Sequence, residues 1–232
     1  MSESLNVDDL TFSIRRSERR KTIGITVERD GKLILKAPTN CPASTLESVA
    51  HSKSLWIYTK LAEKERLFQK NAPKQYVSGE GFYYLGRSYR LLLIKPEYED
   101  VLALRLSRGR FLLRRDEKHR AEQHFINWYI QHGQLWLPNR ISLFSTRVGV
   151  IPNIVVIRDL GFRWASCNPC GRINFNYRLM RLPPRIIEYL IVHELVHIHE
   201  PNHNQEFWNR VRFVMPDYLL RRRWLTENGA RF

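Results

Sequence analysis

The sequence predicts an α+β fold on three observations. Short β-branched and apolar runs broken by tight-turn residues recur through the first half. Stretches of helical period lie between and after them, and one segment near residue 190 is apolar on almost every side. Period-two runs bounded by Gly, Asp and Asn mark strands, whereas apolar residues three and four apart mark helices. In order, Thr22, Ile23, Ile25 and Val27 lead into Arg29-Asp30-Gly31-Lys32, and Leu33, Ile34 and Leu35 follow. Asp-Gly between such runs predicts a hairpin, because both central residues of the tight turn take positive φ. Short strands are expected over 12–36, stopped by Pro38.

A helix is expected over 42–69, with Leu46, Val49, Leu55, Ile57, Leu61 and Leu67 facing inward. Asn71, Pro73, Gly79 and Gly81 break the chain. Strands follow at 81–85, 89–94 and 102–113, the last folded at Ser107-Arg108-Gly109-Arg110. Residues 116–135 read as a helix with Phe125, Trp128, Tyr129 and Leu135 on its apolar side. Residues 141–148 read as a helix end or a strand, and 154–157 and 173–176 as strands. Residues 1–115 are therefore expected to form a β-rich region with one long helix, and 116–232 a second domain. No internal repeat or low-complexity tract is visible.

The apolar segment contains Ile186, Ile187, Leu190, Ile191, Val192, Leu195, Val196 and Ile198, and Pro183-Pro184 can open it as a helix. Within it stands His193-Glu194-Leu195-Val196-His197. Four residues make slightly more than one turn, so His193 and His197 share a face. Unpaired, such polar groups inside an apolar helix would cost several kcal/mol, and a metal ion is their simplest partner. Two imidazoles so placed can grip zinc, with Glu194 beside them as a base toward water. Pro201 ends the helix near Glu200, letting His203 approach as a third nitrogen ligand and leaving a fourth position open. Glu200 is the second choice for that third ligand. The spacing from His197 to His203 matches the metzincin pattern, but Glu200 and Pro201 stand where a glycine turn is expected. His199 should face away, about 200° round the helix from His197.

Separate motifs in order accompany these residues: Arg163-Trp164-Ala165-Ser166-Cys167, Gly171-Arg172-Ile173-Asn174-Phe175-Asn176, the histidine helix, Asn202-His203 and Phe207-Trp208. Together they closely resemble the YgjP-like metallopeptidase family, relatives of the SprT-like and WLM zinc proteases. The family usually has glycine where Ala165 stands. The resemblance implies a zincin-like core with an N-terminal β-rich extension, one zinc ion on His193, His197 and His203, and Glu194 as general base. It places Arg163, Asn176 and Tyr177 near the metal, as candidates to contact substrate or the transition state. The strand at 173–176 reads either as an edge that pairs with an extended peptide substrate or as an ordinary core strand.

The function expected is zinc-dependent hydrolysis of peptide bonds. One alternative is a nucleoside triphosphate pyrophosphatase of the UTP type, since some relatives carry that label; no P-loop signature is present. Another is a non-catalytic nucleic-acid-binding protein with structural zinc, which would need a fourth protein ligand such as Cys167. No apolar run reaches the roughly 18 residues that span a membrane, and the N-terminus lacks a signal-peptide apolar stretch. Three cysteines make no disulfide framework, so a cytoplasmic setting is expected, with Cys167-Asn168-Pro169-Cys170 as loop cysteines near the site. Net charge is +15, clustered at Arg15-Arg16, Arg19-Arg20-Lys21, seven basic residues over 105–120 and Arg221-Arg222-Arg223. That field favours nucleic acid as a partner, with nucleic-acid-associated proteins as the substrates expected.

Overall fold

In the computed structural model, residues 3–28, 32–67, 73–96, 102–161 and 163–232 are described. Contacts divide the chain into compact units at 71/72, whereas the sequence predicted a boundary at 115/116. The described residues form six α-helices and three small sheets.

In the first unit, β1 (Ser4–Val7), β2 (Leu10–Arg16), β3 (Gly24–Val27) and β4 (Leu33–Ala37) form a sheet in the order β1-β2-β4-β3. Strict alternation on β2 buries Leu10, Phe12 and Ile14 and exposes Thr11, Ser13 and Arg15. The expected hairpin pairs Val27 with Leu33; its turn, 29–31, lies outside the described residues. The single helix expected over 42–69 is two, α1 (Ala43–Ser52) and α2 (Ser54–Leu67). They part at Lys53, with φ −108° and ψ 6°. There Ser52 Oγ donates back to the Val49 carbonyl at 2.9 Å, a local bond that competes with the helix. The break turns Ile57 into the core and leaves Leu55 81% exposed, against expectation. The side chain of Leu67 and residues 68–69 lie outside the described residues.

The second unit opens with β5 (Gly81–Tyr84), β6 (Arg87–Ile94), β7 (Leu104–Ser107) and β8 (Arg110–Arg114), in the order β5-β6-β8-β7. In both sheets two antiparallel pairs meet through a parallel inner pair, β2–β4 in one and β6–β8 in the other. The topology thus recurs where the sequence shows no repeat, because strand pairing depends on apolar alternation and turns, not on residue identity. Tight turns at Leu85-Gly86 and Arg108-Gly109 take positive φ at both positions, as two-residue hairpins require.

The inner face of this sheet packs on α3 (Ala121–Val148): Phe82 stacks on Phe125 at 4.1 Å and Phe111 meets Trp128 edge-on at 4.9 Å. One shared core is the reason the boundary falls before β5. A 3₁₀ turn over Arg115–Arg120 precedes α3. The helix runs past its expected end at residue 135, through Pro138, because Leu137, Ile141 and Phe144 continue its buried stripe. Leu135, expected inward, is 77% exposed. Gly149, at φ 78°, caps the helix by donating to Ser145 O at 2.9 Å.

Beyond it lie β9 (Ile154–Arg158), β10 (Ala165–Cys167) and β11 (Arg172–Asn176), in the order β10-β11-β9. The strand predicted at 173–176 is therefore central, and β10, which the sequence did not reveal, is an edge. Then follow α4 (Pro184–Val196), α5 (Gln205–Val214) and α6 (Tyr218–Asn228). The β5–β6 turn steadies the entry to α4. Leu85 and Gly86 donate to Met180 O and Arg181 O at 2.8 and 3.1 Å, and a Cβ on Gly86 would lie 2.9 Å from Pro183 Cα. Gly86→Ala is expected to cost about 2 kcal/mol or more, combining positive-φ strain with a backbone clash. Urea unfolding should show it, and Gly109→Ala, which meets nothing within 4 Å, should cost less.

Candidate metal centre

Pro183 caps α4 and Pro184 occupies its first turn, where no backbone donor is needed. The helix buries Ile186, Ile187, Leu190, Ile191, Val192, Leu195 and Val196 against the core. Its last regular residue is Val196, earlier than the stop expected from Pro201, and His197 caps it in αR geometry. His197 to Glu200 complete a tight turn through His199 N to Val196 O at 3.0 Å and Glu200 N to Val196 O at 2.9 Å. Among the described residues no position between His197 and His203 takes positive φ, so the return is made without the left-handed residue a glycine would supply. Asn204 then caps α5, its side chain accepting from Phe207 N at 2.8 Å, and so fixes the residue just before it, His203.

The result is a triangle of Nε2 atoms: His193 to His197 3.2 Å, His197 to His203 3.1 Å and His203 to His193 3.0 Å. Nitrogen ligands arranged tetrahedrally at a zinc–imidazole distance of roughly 2.0–2.1 Å would stand about 3.3–3.4 Å apart. The donor set therefore fits one small divalent ion with little adjustment. His197 Nδ1 lies 2.9 Å from the Glu200 carbonyl, a contact that holds a proton on Nδ1 and frees the Nε2 lone pair. Fully buried Phe207 supports all three rings at centroid distances of 4.6–4.9 Å, and Trp208 stacks on His203 at 5.6 Å and 24°.

Electrostatics favour neutral imidazoles. Burial, then the neighbouring His197 and His203, push His193 down to about 3. Burial and His197 also lower His203, with Arg222 contributing. Glu194 is 5% exposed, its Oε2 has no hydrogen-bond partner, and burial alone raises its pKa to about 8. His193 Nδ1 is likewise buried without a partner. Burial, with the Glu194 charge second, raises the Cys167 thiol to about 11.

The other expected residues fare differently. Asn176 is fully buried and spends both amide donors on the carbonyls of Gly161 and Arg163, at 3.0 and 2.9 Å, while its oxygen accepts from Arg178 N. Tyr177 is buried beside Tyr129, with Arg178 Nε donating to its hydroxyl at 3.4 Å. Both are scaffold residues, which removes them as ready substrate contacts. Arg163 is exposed, and its carbonyl is the group Asn176 holds. Glu200 does not join the histidines; its carboxylate faces Arg210 at 3.6 Å and Asn204 at 3.5 Å. His199 is exposed and outside the cluster. Cys167 lies half-covered in β10, Cys170 is exposed, and both are free thiols; Asn168 Oδ1 builds their turn by accepting from Cys170 N and Arg172 N.

The sequence reading missed the outer wall. Tyr189 meets His193 edge-on at 5.9 Å, Tyr218 stacks on Trp208 at 5.5 Å, and the Arg222 guanidinium lies 4.7 Å over the Trp208 ring. Tyr189 was legible in principle, because it stands four residues before His193 on the same helix face. Arg222 read only as part of a charge run.

The family model described as "YgjP-like, metallopeptidase domain" matches residues 21–228. Among curated proteins none matches the chain. A solved structure, the metallopeptidase zymogen of Pyrococcus abyssi abylysin, is similar at 23% identity and a TM-score of 0.35, over 38% of this chain and 90% of that one.

Proposed function

Because the chain belongs to the YgjP-like metallopeptidase family, we propose that it is a zinc-dependent peptidase whose metal is held by His193, His197 and His203. The observation that carries this reading is the closed triangle of three Nε2 atoms beside a buried, unpartnered carboxylate. Three donors rather than four favour a catalytic over a structural site, and Cys167 is not among the clustered ligands. On this reading α3, α4 and the β9–β11 sheet are the zincin-like core, and residues 1–71 form the N-terminal extension.

Zinc, when bound, would supply Lewis acidity, polarising a scissile carbonyl and acidifying a neighbouring water. Glu194, neutral below about pH 8 without a cation, ionises once one sits beside it. Its carboxylate takes the proton from the attacking water, holds it out of solvent, and hands it to the departing amide nitrogen. β10, the edge strand next to α4, offers main-chain groups with which an extended peptide can pair. His203, on the turn into α5, closes the site opposite the helix.

Exposure of an unfolded protein such as casein to the full chain with zinc should give new amino termini. A strong chelator should abolish cleavage, and zinc should restore it. Release of pyrophosphate from nucleoside triphosphates, dependent on Glu194 and without peptide cleavage, would move the site to the alternative substrate class.

A further inference from the structure

The second-unit sheet has one buried and one open face. Leu91, Leu104, Phe111 and Leu113 point to α3 and are buried. Their neighbours along each strand point outward, and many are arginines. Residues 81–94 and 104–114 contain six arginines, no lysine and no acidic residue. Arg90 on β6 stands directly opposite Arg110 on β8. Like charges in directly opposed positions destabilise a sheet. Among the described residues no ion pair holds Arg87, Arg90, Arg108 or Arg110; Arg90 donates only to the Gly79 carbonyl, at 2.7 Å. The nearby carboxylates are taken, Asp116 by Arg114 at 2.6 Å and Glu80 by Lys74 at 3.6 Å. The connection after β6 carries Glu97, Glu99 and Asp100, outside the described residues. It follows Ile94, at the opposite end of β6 from Arg87 and Arg90.

We propose that the open face of the β5–β8 sheet, with the β7–β8 turn at its end, binds the phosphate backbone of nucleic acid through Arg90, Arg108 and Arg110. A polyanion removes the repulsion between Arg90 and Arg110 and releases its own counterions on binding. Arginine suits the task, since its planar fork engages phosphate oxygens in pairs. The apolar members of the face, Leu92, Ile94 and Leu112, are half-covered, so it presents charge rather than side chains that would enter lipid. The sheet covers α3 with its apolar face, so Arg90 and Arg110 lie on the side turned away from that helix.

Anisotropy titrations with a labelled DNA duplex and the matching RNA strand, using the full chain at several salt concentrations, test this. R90Q/R110Q should weaken binding at least tenfold and make the salt dependence shallower by about two counterions. R19Q/K21Q, which removes two charges from the first unit, should change affinity less than twofold. If R90Q/R110Q melts early, R108Q in the β7–β8 turn should weaken binding severalfold and make the salt dependence shallower by about one counterion. Equal losses in the two regions would reduce the effect to bulk charge and overturn the proposal. So would salt-dependent capture by phosphatidylserine vesicles with no binding to either nucleic acid, or no binding to any of them at low salt.

Discussion

Glu194→Gln should lower kcat for peptide hydrolysis by roughly 10²–10⁴-fold while leaving the bound zinc and the fold in place. The amide keeps the shape of the side chain but can no longer accept a proton from water. Measured together, turnover and metal content separate this role from ligation; loss of both would show that Glu194 supports the metal itself. A second readout follows from burial. In metal-free protein the folded Glu194 titrates at about 8, raised from its ordinary 4.5. The folded state therefore holds the proton more tightly than the unfolded one, and stability falls as pH rises from about 4.5 to about 8. Gln does not titrate, so metal-free E194Q should be the more stable protein at pH 8, on the order of a few kcal/mol, with the gap closing toward pH 4.5. His193 acts in the opposite sense: held neutral down to about 3, it contributes stability that is lost as pH falls below 6.5. Because His193 is common to both proteins, the difference between their melting curves isolates Glu194.

His203→Ala should weaken zinc by more than 100-fold, beyond the 10–100-fold typical of losing an outer-shell partner. His199→Ala should change it less than twofold. The contrast is sharp because the residues lie only four apart, yet His203 Nε2 is within 3.1 Å of the Nε2 atoms of His193 and His197 whereas His199 is exposed. Competition with a chromogenic zinc chelator gives both affinities. Equal effects would remove His203 from the ligand set and reopen the choice of Glu200.

The centre was readable in sequence because it is local. The i,i+4 spacing, the apolar helix around it and the Pro201 stop need no long-range contact, and the structure brings the three named histidines together. The turn at Arg108-Gly109 was legible for the same reason, since Gly109 stands where positive φ is required. What sequence hid was set by packing. The helix expected to end at 135 runs on through Pro138, because buried Leu137 and Ile141 hold α3 together across it. The three-residue β10 has too little pattern to announce itself, and pairing with β11 defines it. The boundary moved from 115/116 to 71/72 because Phe82 and Phe111 complete the core of α3, a contact between residues distant in the chain. Asn176 and Tyr177 were expected at the chemistry because their segment neighbours it, yet Asn176 holds a loop and caps a 3₁₀ turn, and the buried Tyr177 hydroxyl accepts from Arg178 Nε. Arg222 reaches the histidines from the last helix, across a turn whose direction no local pattern reveals.

The most direct test is the transition-metal content of the full chain, purified without chelators and analysed by mass spectrometry of the elements. One zinc ion per chain, absent from His203→Ala under the same conditions, is the predicted result. A chain free of metal that neither takes up added zinc nor gains hydrolytic activity from it would contradict the account.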